Sequence, residues 1–138
     1  YYLEEYQSAY LALETAKDQG GAEAFLYLGK SYEATGDYNY AASVYNNYLA
    51  KDTSDARIYN QLGLCEMARG DYHAALSAFQ SGMQIENNDV MQSLLFNEAV
   101  TYEYLHDYRQ ALVLMESYLK TYPDDQVAKR EYDFLSTR

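Results

Sequence analysis

The tripeptide Gly36-Asp37-Tyr38 returns 34 residues later as Gly70-Asp71-Tyr72 and, after 36 more, in altered form as His106-Asp107-Tyr108. Glycine readily takes the positive φ that ends a helix, and aspartate accepts hydrogen bonds from the unpaired N–H groups that begin the next helix. Each copy therefore predicts a tight turn between two helices. Histidine is enriched among the non-glycine residues found at positive φ, so we expect the turn to persist in the third copy.

The residues around these turns recur with the same period. Small residues at fixed positions allow two helix backbones to approach closely, while larger side chains fill the surrounding space. Each helical hairpin would leave an apolar face uncovered, so neighbouring hairpins must stack to bury it. The recurring small and apolar pairs, each separated by 34 residues, are Leu28 and Leu62, Gly29 and Gly63, and Ala41 and Ala75.

This pattern resembles the tetratricopeptide repeat (TPR) in its bacterial form. The segments Phe25-x-x-Leu28-Gly29-x-x-Tyr32 and Ala75-x-x-x-Phe79, together with Pro123, are similar to the family pattern W-x2-L-G-x2-Y, A-x3-F and P. The resemblance implies an all-α fold, a right-handed α–α superhelix (TPR solenoid) of about eight helices. It divides the chain into a half repeat at 1–21, repeats at 22–55, 56–89 and 90–125, and a capping helix at 126–138.

The two ends of the chain each predict one helix. Near the start, Leu3, Tyr6, Tyr10 and Leu13 share one helical face. The sequence begins within this helix, so we expect it to be part of a longer protein. At the other end, Asp124 or Asp125 should cap a helix that turns Ala128, Tyr132 and Leu135 inward and Lys129, Arg130 and Asp133 outward.

Charge limits the classes of partner. The formal net charge is −11, from 21 acidic and 10 basic residues, which disfavours nucleic acid and anionic membrane surfaces. No apolar run approaches the roughly 20 residues that span a bilayer, so we expect no direct membrane insertion. A neutral or basic protein segment is the expected partner.

The sequence lacks the usual signals of catalysis. It contains no P-loop, GxGxxG, GxSxG, HExxH or CxxC pattern. We therefore expect a non-catalytic protein without cofactor or metal site. His73, His106 and the single cysteine, Cys65, are interpreted as structural residues.

The resemblance implies a concave surface, formed by the first helix of each repeat, that holds a peptide. Two interpretations compete for its apolar members: they pack between neighbouring first helices, or they bind apolar anchors of a partner segment. Asn60 and Asn97 are suited to hydrogen-bond a peptide backbone. The candidate groove residues are Leu26, Lys30, Asn60, Leu64, Met67, Phe96, Asn97, Val100 and Tyr104.

Some TPR proteins hold an acidic chaperone tail with a clamp of Lys, Asn and Arg. Here Leu26, Lys30, Gln61, Ser93 and Asn97 stand at those positions, so this clamp is broken. The resemblance thus favours a protein-interaction scaffold with another partner. The alternative is a structural spacer or self-association module, a weak homodimer formed through Tyr2 or Tyr6 at the N-terminal edge.

Overall fold

The computed structural model describes residues 21–86 and 88–137. Within these ranges the chain forms seven α-helices and no strand, which confirms the all-α prediction. The half-repeat helix with Tyr2 and Tyr6 lies outside the described residues. The helices are α1 (Ala22–Ala34), α2 (Tyr38–Leu49), α3 (Ala56–Ala68), α4 (Tyr72–Met83), α5 (Met91–Tyr104), α6 (Tyr108–Thr121) and α7 (Gln126–Ser136).

The three recurrent turns adopt the positive φ that the sequence predicts. Gly36 and Gly70 have φ values of 79° and 83°, and His106 has φ 63°. The His106 ring lies over the turn, with its Nδ1 2.9 Å from the hydroxyl of Tyr108. A non-glycine residue therefore closes the third hairpin in the same left-handed conformation.

Aspartates begin the second helix of each hairpin. Asp37, Asp71 and Asp107 each accept a hydrogen bond from the backbone N–H three residues ahead, at 3.1 to 3.2 Å. Asp125, one of the two aspartates expected to cap the last helix, accepts from the N–H of Ala128 at 3.1 Å. These caps satisfy backbone donors that have no partner within the helix.

We expect Asp71→Ala to lower the free energy of unfolding by about 1 kcal/mol, because α4 loses its N-terminal acceptor. Urea unfolding followed by circular dichroism measures the change. The matched variant Asp71→Asn keeps an acceptor oxygen and loses only the favourable charge at the helix start, so it should cost less. Equal losses in the two variants would show that the carboxylate charge, and not the cap, stabilises this turn.

Two glycines pack against aromatic rings within the first two hairpins. A Cβ built on Gly29 would overlap the ring of Tyr45, and one built on Gly63 would overlap the ring of Phe79. Both rings are completely buried. In the third hairpin Ala99 takes the glycine position, and the flexible side chain of Met115 replaces the ring in the same core cluster.

Successive helices pack on one another, and the first helices also form a row of their own. α1 packs against α3, and α3 packs against α5. α7 makes its main contact with α6. None of the described helices is long and apolar enough to cross a membrane. This row of first helices positions the candidate site.

Candidate binding groove

Three cavities follow one another along the first helices α1, α3, α5 and α7. We call them the N-terminal cavity, between α1 and α3, the middle cavity, between α3 and α5, and the C-terminal cavity, between α5 and α7. Asn60 and Gln61 line both the N-terminal and the middle cavity, and Phe96 lines both the middle and the C-terminal cavity. Neighbouring cavities therefore adjoin, and we call this row of three the groove.

The N-terminal cavity has a volume of about 470 Å³ and mixed charge. Leu26 is buried in the core beneath it, whereas Lys30 is exposed. The guanidinium of Arg57 donates to Asp55 at 2.7 Å and also pairs with Glu23. Its hydrogen bonds hold the pKa of Asp55 below the usual value.

The middle cavity has a similar volume, about 470 Å³, and contains the two candidate asparagines. The Asn97 Nδ2 donates to the Oδ1 of Asn60 at 3.0 Å, which joins α5 to α3. Asn60 is buried and Asn97 is half-buried. Leu64 and Phe96, both half-buried, line the same cavity.

One wall of the middle cavity is held by a hydrogen-bonded chain. The Tyr118 hydroxyl accepts from Gln92 at 3.0 Å and donates to Asp125 at 2.5 Å. The bond from Tyr118 holds the pKa of Asp125 below the usual value, and burial raises the pKa of Tyr118. Asp125 is therefore a carboxylate fixed both as the cap of α7 and as a groove wall.

The C-terminal cavity is the largest of the three, at about 720 Å³. Tyr104 stacks on Tyr72 at one side, with ring centroids 5.1 Å apart. Val127 and Phe134 of α7 are 51% and 46% exposed and form the other side. The remaining lining residues include Phe96, Val100, Glu103 and Glu131.

Eight of the nine candidate residues line this groove. The ninth, Met67, lies at the contact between α3 and α5, where its sulfur accepts from the Thr101 hydroxyl at 3.6 Å. Leu26 and Met67 thus pack between helices. Their binding role, like that of the other seven, remains a prediction.

The sequence reasoning missed the contribution of α7. We expected a charged outer face, but Val127 and Phe134 are also exposed there. α7 takes the place of a first helix, so its residues follow the same register. Phe134 lies 34 positions after Val100, and Glu131 lies 34 after Asn97. Extending the 34-residue period to α7 would have predicted both residues on the groove face.

The groups with potential reactivity occupy structural positions. Cys65 is completely buried on the inner face of α3, and burial raises the pKa of its thiol, which disfavours the reactive thiolate. His106 closes a turn, and His73 is exposed near the start of α4. Within residues 21–86 and 88–137, no group of three or more His, Cys, Asp or Glu is arranged to hold a metal ion.

The stacked hairpins, the positive-φ turns and the row of first helices define a tetratricopeptide-repeat solenoid. Residues 25–135 match the model of the cilia and flagella-associated protein 70 middle TPR-like domain, and the chain belongs to this family. No curated protein matches the sequence.

Several solved structures share the fold. The crystal structure of MamA is 21% identical, with a TM-score of 0.81 over 94% of this chain and 74% of that one. The TPR protein YrrB, described as having an unusual peptide-binding site, is 22% identical, with a TM-score of 0.77 over 94% and 67% of the two chains. The second TPR domain of human RPAP3, solved with the HSP70 peptide SGPTIEEVD, is 15% identical, with a TM-score of 0.72 over 94% and 99%.

Proposed function

We propose that this protein is a non-catalytic interaction scaffold that binds a segment of a partner protein along the groove. The observation that carries the proposal is the row of three adjoining cavities along α1, α3, α5 and α7, which share lining residues. A row of cavities lined by apolar and hydrogen-bonding side chains suits a peptide, which presents both a backbone and side chains. The HSP70 peptide bound in the RPAP3 structure and the peptide-binding site described for YrrB support this class of function.

The polar groups of the groove have distinct roles in this proposal. Asn60 is buried and holds the carboxamide of Asn97 across the helix boundary. Because a carboxamide has two N–H donors and an acceptor oxygen, Asn97 can still bind a peptide backbone after that hydrogen bond. Asn60 therefore acts by positioning Asn97.

The apolar groups give selectivity. Leu64, Phe96 and Val100 are half-buried along the groove floor, and Tyr104 is exposed at its C-terminal end. A partner side chain that covers them removes more apolar surface from water, which favours binding. Leu26 and Met67 support the floor from below.

Tyr27 lines the N-terminal cavity, Asn97 the middle cavity and Tyr104 the C-terminal cavity. We expect Tyr27→Ala, Asn97→Ala and Tyr104→Ala each to weaken binding of groove-directed peptides by about tenfold, because each removes a contact worth on the order of 1 kcal/mol or more. Peptides are first selected from a random display library on the unaltered protein, then synthesised with a fluorescent label. Fluorescence anisotropy gives the dissociation constant for each variant.

Tyr40→Ala is the matched control. Tyr27 is 61% exposed and Tyr40 is 59% exposed, but Tyr40 lies on the second helix of its hairpin, where it stacks on Tyr32. The control should leave the dissociation constant unchanged. Peptides that bind all three groove variants as tightly as the control would show that the groove is not the binding surface.

A further inference from the structure

The charge of the groove changes along its length. Lys30 and Arg57 line the N-terminal cavity together with Glu23. Glu103 and Glu131 line the C-terminal cavity, and within residues 21–86 and 88–137 no lysine or arginine lines it. Arg57 is already paired with Asp55 and Glu23, which leaves the N-terminal cavity weakly cationic through Lys30. At the C-terminal cavity the carboxylate of Glu131 attracts a cation on a bound segment.

The apolar surface of the groove is concentrated at the same C-terminal end. Phe96 and Val100 lie one turn apart on α5, and Val127 and Phe134 lie two turns apart on α7. Tyr104, stacked on Tyr72, closes one side. These side chains line an open cleft of about 720 Å³, within the range of ligand-binding clefts.

The packing of the helices explains why this cavity is open. α1 contacts α3 and α3 contacts α5, whereas α7 packs mainly on α6. Ala128 and Leu135 of α7 enter the core on that side. Val127 and Phe134 are consequently left facing the gap between α5 and α7, although they are apolar.

We propose that the C-terminal cavity binds a partner segment in which an apolar side chain is followed or preceded by lysine or arginine. The apolar side chain enters between Phe96, Val100 and Val127, and the cationic group lies beside Glu131. This inference rests on the proposed function and assigns the chemistry of the partner at one end of the groove. It also distinguishes this chain from the RPAP3 domain, whose bound peptide ends in Glu-Glu-Val-Asp.

The probe is a synthetic amphipathic peptide of alanine, leucine and lysine, with two leucines one helical turn apart and lysines beside them. Two sibling peptides replace the leucines with alanine or the lysines with glutamate. We expect the leucine–lysine peptide to bind and each sibling to bind at least about tenfold more weakly, since an apolar anchor and a complementary charge are both needed. Tighter binding of the glutamate sibling would overturn the proposal.

Matched variants locate the binding. Val127→Ala should weaken binding about tenfold through the loss of two buried methyl groups, whereas Val113→Ala, at a valine of similar exposure on α6 (53% against 51%), should not. Glu131→Gln should weaken it about two- to fivefold at low salt, as for an exposed ion pair, and less at high salt. Glu116→Gln, on the exposed side of α6, is its charge-matched control.

The results separate this inference from the proposed function. One outcome is that each groove variant weakens binding no more than its control, that is, Val127→Ala no more than Val113→Ala and Glu131→Gln no more than Glu116→Gln. The cationic peptide would then bind the acidic surface without a defined site, and the inference would be overturned. If library-selected peptides still lost affinity on Tyr27→Ala and Asn97→Ala, the proposed function would stand without it. Concentration-dependent dimerisation abolished by Val127→Ala would assign the cavity to a second copy of the chain and would also overturn it.

Discussion

Phe79→Ala is expected to lower the free energy of unfolding by about 3–5 kcal/mol, the cost of removing a large ring from a tightly packed core. Phe79 is completely buried in a core cluster with Ala75 and Leu94 and lies against the backbone of Gly63. The cavity left by the ring lies between rigid helices and cannot close without moving α4 toward α3. Urea unfolding, monitored by circular dichroism, gives the difference.

Phe134→Ala is the matched control for this prediction. It deletes the same ring from a side chain that is 46% exposed. The decrease in the free energy of unfolding should therefore be less than half of that caused by Phe79→Ala. Comparable losses in the two variants would mean that the Phe79 ring contributes no more than a partly exposed one. The glycine–ring contact would then have no special role in the hairpin.

Gly63→Val is expected to lower the free energy of unfolding by about 2–3 kcal/mol, toward the upper end of the cost of overpacking. A Cβ at this position would lie 2.6 Å from both Cδ1 and Cζ of the Phe79 ring. The ring is fully buried and has no free space to enter. Because valine has a slightly better helix propensity than glycine, a destabilisation of this size can only come from the clash.

A second substitution tests that cause. Phe79→Leu shortens the side chain opposite residue 63, so Gly63→Val should cost less in that background than in the unaltered protein. A double-mutant cycle measures the difference, which for residues in contact is typically about 0.5–3 kcal/mol. Additive effects of the two substitutions would show that the two positions do not meet.

The hairpins could be predicted because the residues that determine them either lack a side chain or carry a large ring. Gly29 and Gly63 leave space that only a large side chain at the facing position can fill, and Tyr45 and Phe79 stand there. The turn at His106 was equally predictable, since the aspartate that follows it preserves the start of the next helix.

The helical face that carries the candidate groove residues was predictable, but the contacts between helices on that face were not. Helical register places Leu26 and Lys30 on one face, but it does not determine how closely α1 approaches α3, and Leu26 is buried by that approach. The pairing of Asn60 with Asn97 depends equally on a distance between helices. For α7, the inward-facing residues were predicted, but the exposed Val127 and Phe134 were not. Both follow the register of a first helix.

The hydrogen bond between Asn60 and Asn97 also bears on the calorimetry of peptide association. A segment that binds the Asn97 groups left available by Asn60 replaces their hydrogen bonds to solvent, so one hydrogen bond is exchanged for another and little net enthalpy is gained. The driving force must then come from dehydration of the apolar floor, whose marker is a negative change in heat capacity. The asparagine pair therefore contributes little selectivity among peptide sequences. The apolar surface that each ligand removes from water decides which ligand binds more tightly.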